Sequence, residues 1–209
     1  MNSPQRPAGT TVFRPRSSRW ILVIAGVVVG VGLAASVASS GFQSLASTAP
    51  LLAIGAVAWW LFWYPTVVVG PAAVELRNPV RTVTVPWGAL IHVDTKYALK
   101  LVTPGGSYSA WAAPAPGVRG TYAGKPEHMK NLPGTSYGPA GSVRPGDLTN
   151  TDSGLAALLV RTEWQRQVES GLIDTDGAES ARVVRQLNWL PLAVVTGLLL
   201  LSIVTFAWQ

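Results

Sequence analysis

The sequence has no cysteine and few charged residues. Only 12% of its 209 residues are Asp, Glu, Lys or Arg, whereas a soluble domain carries about 25%. The lack of cysteine excludes disulfides, thiol nucleophiles and thiolate metal sites. No charged residue occurs from Trp20 to Val74, which is rare in water-soluble proteins. These absences predict a membrane protein with one small domain outside the bilayer.

Groups that carry chemistry are also scarce. The two histidines, His92 and His128, do not have metal-ligand spacing. The chain contains no P-loop, no dinucleotide-binding glycine motif and no G-x-S-x-G motif. The sequence therefore predicts a protein that is not an enzyme and that uses no metal or cofactor.

Two apolar blocks fill the uncharged stretch, at about 20–40 and 48–65, and they predict two membrane helices that form a hairpin. The second block is short, because the 15 residues from Pro50 to Tyr64 make only roughly 22 Å of helix against a bilayer of about 30 Å. It ends in aromatic residues that are typical of a membrane interface. These residues are Trp59, Trp60, Trp63 and Tyr64.

Small residues recur every four positions in the first block, at Gly26, Gly30 and Ala34. Such a stripe allows close approach of another helix. We expect it to pack against the second membrane helix, with self-association as the alternative. A secretory signal peptide that is cleaved after Ala38 is a competing interpretation of this block, because basic residues precede it.

A third uncharged segment ends the sequence and predicts a membrane helix at about 187–208. Just before it, Asp176 and Glu179 have the spacing of a capping box. This spacing predicts a juxtamembrane helix that begins near residue 175 and continues into the third span.

The basic residues predict the orientation. All 16 lysines and arginines lie before Trp20 or between Thr66 and Leu187. The positive-inside rule then places the N-terminus and residues 66–186 in the cytoplasm and the C-terminus outside. Residues 1–19 are rich in Pro, Ser and Arg, and they predict a disordered basic tail.

The charge distribution also predicts the class of partner. The region from Thr66 to Leu187 holds 12 basic and 10 acidic residues, so the basic excess lies mainly beside the membrane. We therefore expect membrane lipids and other membrane proteins as partners, and no nucleic acid.

The region between the second and third apolar blocks, 66–174, predicts a single cytoplasmic domain. Residues 66–113 alternate apolar and polar side chains in short runs, which predicts antiparallel strands in a sandwich or barrel. Residues 114–147 contain 13 Gly or Pro in 34 positions and predict a mobile insert. A helix is expected over 153–170, with Gly171 as its stop.

The order of these strands resembles the bacterial PH-like domains of small actinobacterial membrane proteins. The resemblance covers residues 66–113 and, loosely, 153–170. It is carried by four segments: Val67-Val-Val-Gly70, Val74-Glu-Leu-Arg-Asn78, Arg81-Thr-Val-Thr-Val-Pro-Trp87 and Ile91-His-Val93. It implies a small β-barrel closed by one helix, with Trp87 as a structural hallmark that packs where the sheet bends.

The resemblance and the predicted spans together suggest three functions. The first is an interaction or assembly module that is held at the membrane surface. The second is an anionic-lipid sensor, with the basic residues near the strands as candidate ligands. These are Arg77, Arg81, Lys96 and Lys100. The third is an accessory subunit of a transporter or of another membrane complex.

Overall fold

The computed structural model describes residues 9–40, 48–117, 136, 143–173 and 181–207. The strands of these residues are β1 (Thr11–Phe13), β2 (Thr66–Val69), β3 (Ala73–Arg77), β4 (Arg81–Pro86), β5 (His92–Asp94), β6 (Ala98–Thr103), β7 (Gly106–Pro114) and β8 (Val184–Leu187). The α-helices are α1 (Arg16–Ser40), α2 (Ala49–Ala58), α3 (Asp152–Glu169) and α4 (Trp189–Ala207). A π-helix, Trp59–Trp63, follows α2, and 3₁₀-helices lie at Trp87–Ala89 and Pro145–Asp147.

The strands form two antiparallel sheets, as the sequence predicted. The larger sheet has the order β1-β2-β3-β4-β8, and the smaller has the order β5-β6-β7. Apolar side chains of both sheets alternate inward, and Val74, Leu76, Leu99 and Leu101 are completely buried. The short helix Trp87–Ala89 turns the chain from one sheet to the other.

Helix α3 closes the domain and confirms the predicted helix. Its Ala156, Ala157 and Val160 are completely buried in the shared core. The Thr151 hydroxyl accepts a hydrogen bond from the Gly154 N–H at 3.0 Å and caps the first turn. Gly171 follows the helix with φ +64°, the left-handed geometry of a C-terminal stop.

The N-terminal segment differs from the predicted disordered tail over 1–19. Residues 1–8 lie outside the described residues, but Thr11–Phe13 pairs antiparallel with β2. Phe13 is 8% exposed and joins the core. The β-branched and aromatic side chains of this segment suit a strand, but three residues are too few to show a period.

The predicted juxtamembrane helix is also wrong over its described part. Residues 174–180, which include both members of the predicted capping box, lie outside the described residues. Val184–Leu187 is strand β8 and pairs antiparallel with β4. The open edge of β4 supplies a backbone partner that local periodicity cannot reveal.

Within the described residues, two helices, not three, are long and apolar enough to cross a membrane by length and composition. They span 24 residues from Arg16 and 19 residues from Trp189. The predicted second span is the shorter apolar helix Ala49–Trp63. It packs against both α1 and α4.

Most of the predicted insert at 114–147 lies outside the described residues.

The three apolar helices all join the larger sheet at the same end. Phe13 at the end of β1 pairs with Val67 beside the start of β2, and Thr66 pairs with Arg77. At the other side of the sheet, Leu187 at the end of β8 pairs with Arg81. Only one or two residues separate each strand from its helix. These connectors are Arg14-Pro15, Tyr64-Pro65 and Asn188.

Candidate functional site at the helix–domain junction

The π-helix leaves a backbone carbonyl that the domain satisfies. Pro65, four residues after Leu61, has no N–H and cannot donate to the Leu61 carbonyl. The indole N–H of Trp111, from β7, donates to that carbonyl at 2.8 Å. The local break in the helix thus becomes an attachment point for the domain.

A second indole connects the two parts in the opposite direction, with the donor in the helix and the acceptor in the domain. The N–H of Trp60, in the π-helix, donates to the Pro79 carbonyl in the β3–β4 hairpin at 2.9 Å. Nearby, the Arg14 guanidinium lies 4.2 Å from the centre of the Trp63 ring. Aromatic residues at the end of this helix therefore bind both the domain and the connector before α1.

Asn78 joins the two sheets at the junction. Its side-chain N–H donates to the Ser109 carbonyl at 2.9 Å, and its side-chain oxygen accepts from the Trp111 N–H at 2.8 Å. One amide side chain therefore bonds a backbone carbonyl and a backbone N–H at the edge of β7, as a neighbouring strand would.

Asn188 fixes the start of α4 to the same hairpin. Its side-chain N–H donates to the Asn78 carbonyl at 2.7 Å, and its backbone N–H donates to the Val80 carbonyl at 3.0 Å. The Thr82 hydroxyl donates to the Asn188 side-chain oxygen at 2.9 Å. The single-residue connector between β8 and α4 is therefore held at three points.

A cavity of about 840 Å³ lies between these elements. Its walls come from the start of α1, from the π-helix and from the β3–β4 hairpin and β7 of the domain. The lining residues are Pro15, Ser17, Ser18, Ile21, Trp60, Leu61, Phe62, Pro65, Asn78, Pro79, Val80, Arg81, Ala98, Ser109, Ala110, Trp111, Ala112 and Pro114. Arg81 is the one charged residue of this lining.

The two predicted arginine ligands face opposite sides of the larger sheet. Arg81 shares the inward face of β4 with Val83 and Val85, because side chains alternate along a strand. Arg77 lies on the outer face of β3 and bonds the Glu75 carboxylate at 3.0 Å. That hydrogen bond raises the pKa of Arg77 above its ordinary value.

The two predicted lysine ligands lie in the smaller sheet and in the turn between its strands β5 and β6. Lys100 lies in β6 opposite Asp94 and Ser109, and exposed Lys96 rests 5.1 Å from the centre of the Tyr97 ring. The structure therefore does not gather the four predicted cations into one pocket.

The predicted structural residues have clear positions. Trp87 is 3% exposed, and its indole N–H donates to the Gly70 carbonyl at 3.0 Å. By contrast, Gly26, Gly30 and Ala34 do not lie in the predicted contact with the second apolar helix. Side chains added at the two glycines would meet open space, and Ala34 is exposed.

Sequence reasoning missed a buried ion pair in the domain. Arg161 and Asp147 are 5% and 3% exposed, and their nearest side-chain atoms lie 2.6 Å apart. A charged residue such as Arg161 is expected on the solvent-exposed face of an amphipathic helix. Its spacing from Ala157 and Gly154 places it on the buried face, and this spacing was the available signal.

Comparison with known families agrees with this architecture. Residues 64–146 match the family described as bacterial PH domain. A PH-like domain is therefore present, and the match runs from the start of β2 through the predicted insert to the turn before α3. Neither the curated proteins nor the solved structures contain a match to the chain.

Proposed function

We propose that the protein is a multi-pass membrane protein that holds its PH-like domain at the membrane surface as an interaction and assembly module. One observation carries the proposal. Three apolar helices enter the same end of one sheet through connectors of one or two residues. The domain then moves with the helices, and a partner that binds it must itself lie at the membrane.

The exposure of the helices supports a membrane location. Large apolar side chains of α1 and α4 point away from the protein, such as Ile24 at 63%, Val31 at 65% and Ile203 at 65% exposure. Apolar surface of this extent is unfavourable in water. The lipid tails of a bilayer would cover it.

Aromatic residues at the junction support the same location. Trp20, Tyr97, Trp111 and Trp189 are each more than half exposed. Trp20 lies in α1, Trp189 begins α4, and Trp111 contacts the π-helix. Tryptophan and tyrosine favour the water–bilayer interface. The paired strand β1 also argues against a cleaved signal peptide, because cleavage after Ala38 would remove that strand from the sheet.

Strand β8 is the edge that we propose for partner binding. In an antiparallel ladder, residue pairs that exchange backbone hydrogen bonds alternate with pairs that do not. The Asn188 N–H donates to the Val80 carbonyl, so every second residue counted from Asn188 bonds β4. The backbone groups of Arg185 and Leu187 therefore point away from β4. No other described strand lies on that side, so a partner strand can add there.

The test uses a photocrosslinking amino acid at exposed Val184 in cells that make the full chain. We expect a crosslink to another membrane protein. Arg185→Pro should abolish it, because proline removes an outward N–H and leaves the β4–β8 ladder intact. Arg185→Ala is the matched control, since it removes the contact with Tyr108 and keeps the N–H. A crosslink that survives Arg185→Pro would place the binding surface elsewhere.

The lipid-sensor alternative has less support in its four-cation form. Anion recognition needs several cations that converge on one ligand. Arg77 and Arg81 face opposite sides of the larger sheet, Lys100 lies in the smaller sheet, and Lys96 lies in the turn before β6.

A further inference from the structure

The junction cavity has the chemistry of a site for an amphiphile. Its volume of about 840 Å³ falls in the range of small-molecule pockets, which is about 300–1,000 Å³. Most of its lining is apolar, from residues such as Ile21, Phe62 and Val80. An apolar space of this size is a poor site for water, which needs polar partners.

The side-chain amide and indole groups that line the cavity are already used within the protein. The indole N–H groups of Trp60 and Trp111 bond backbone carbonyls, and both ends of the Asn78 amide bond β7. An occupant therefore finds few free hydrogen-bonding partners along these walls. Its body must be mainly apolar.

Arg81 is the exception. It is exposed at the cavity, on the inward side of β4, and no described carboxylate forms an ion pair with it. A guanidinium binds phosphate oxygens in a bidentate geometry. Among the residues that the structure describes, the cavity thus combines apolar walls with one unpaired cation and no acidic residue.

We propose that the cavity holds one acyl chain of an anionic phospholipid from the surrounding bilayer, with the lipid phosphate at Arg81. This inference rests on the proposed membrane location. Ile21 lies on α1 and Phe62 at the end of the second apolar helix, so an acyl chain reaches the cavity along apolar helix surfaces without crossing water. The lipid fills the space between the helices and the domain.

The test uses the full chain in phosphatidylcholine nanodiscs that contain phosphatidylglycerol with a photoreactive group at the end of one acyl chain. We expect adducts on Ala110 and Ala112 of β7, which line the cavity and are only 2% and 1% exposed, because a lipid of the open bilayer cannot reach side chains buried in the domain. Ser109→Trp fills the cavity and should lower these adducts by about fivefold or more, which corresponds to about 1 kcal/mol. Ser107→Trp is the matched control, exposed on the same face of β7 but outside the cavity, and should leave them unchanged.

The charge requirement is tested separately. Arg81→Gln should lower the phosphatidylglycerol adducts towards the yield of a phosphatidylcholine probe. Arg77→Gln, in the neighbouring strand but on the outer face, should not. Equal yields from the two probes, or an equal effect of the two substitutions, would each overturn the proposal.

Different results would reject the lipid site and the membrane location. Adducts on α1 and α4 with none on β7 would reject the lipid site and leave the proposed membrane location standing. Release of the chain from native membranes by alkaline carbonate would reject both.

Discussion

At the level of single residues, the pair of Arg161 and Asp147 forms a buried polar network in the domain core. One guanidinium nitrogen donates to Asp147 at 2.6 Å and to the Ser136 hydroxyl at 2.8 Å. The other donates to the Val93 carbonyl at 2.9 Å, and the Thr95 hydroxyl donates to Asp147 at 2.9 Å. The pair ties α3, β5 and the turn before α3 together.

Asp147→Ala should destabilise the protein strongly, because it leaves the Arg161 charge buried without its partner. We expect a loss of about 3–5 kcal/mol in the free energy of unfolding, measured by chemical denaturation. The control is Arg144→Ala, which removes a pair with Asp94 whose arginine is 67% exposed and should cost less than about 1 kcal/mol. Equal losses would contradict a special role of the buried pair.

Glu163 should make stability depend on pH. The hydrogen bond from Arg166 lowers the pKa of Glu163 below its ordinary value of 4.5. Its contribution is then present above that value and is lost as pH falls through the lower pKa of the folded state. Glu163→Gln should flatten the fall in melting temperature below about pH 4.5, and Arg166→Gln should do the same. A wild-type pH profile in both variants would disprove the assignment.

The sequence predicts individual residues best where a local rule applies. Gly171 ends α3 because a left-handed position favours glycine, and the spacing of the helix already pointed to it. The burial of Arg161 depends on Asp147 and Val93, which lie in other segments of the chain. No local pattern contains those partners, although the helical face of Arg161 hinted at burial.

At the level of elements, α1 and the second apolar helix meet through Gly32 and not through Gly26. A Cβ at Gly32 would lie 2.8 Å from a methyl carbon of Leu51, whereas one at Gly26 would have no neighbour within 4 Å. Both glycines lie on the same helix, so a substitution at Gly26 is a matched control for the same substitution at Gly32.

Gly32→Val should weaken the packing of α1 on the second apolar helix. Overpacking of a close contact costs about 1–3 kcal/mol, and we expect a lower melting temperature of the full chain in detergent. Gly26→Val should have little effect on this intramolecular packing. The reverse order of the two effects would show that the helices pack through the stripe of Gly26 and Gly30.

The shortest strands could not be predicted from their own sequence periodicity. The alternation in 66–113 predicted the sheets, because each strand carries its own period. Strands β1 and β8 have three and four residues, and their partners are far away in the sequence. Their positions follow from the open edges of β2 and β4, which only the assembled sheet reveals.

At the level of the whole molecule, the pairing of β1 with β2 requires that residues 11–13 and the domain lie on the same side of the membrane that we propose. Because the sequence has no cysteine, single cysteines can be introduced to test this. Cysteines at Gly9 and at Ser107 should both be protected from an impermeant thiol reagent in intact cells. A cysteine at Gln43, between α1 and α2, should be labelled. Labelling of all three would contradict the proposed hairpin.

The attachment of the sheet to three helices has a consequence for synthesis of the chain. Thr82 and Asn188 bond each other although 106 residues separate them. Strand β4 therefore emerges from the ribosome long before β8, and its edge stays unpaired while the intervening residues are made. Under the membrane location proposed above, completion of the sheet and membrane insertion of the last helix become a single late step, since α4 follows β8 after one residue. A chain that stops before Val184 would leave the open edge of β4 exposed to aggregation.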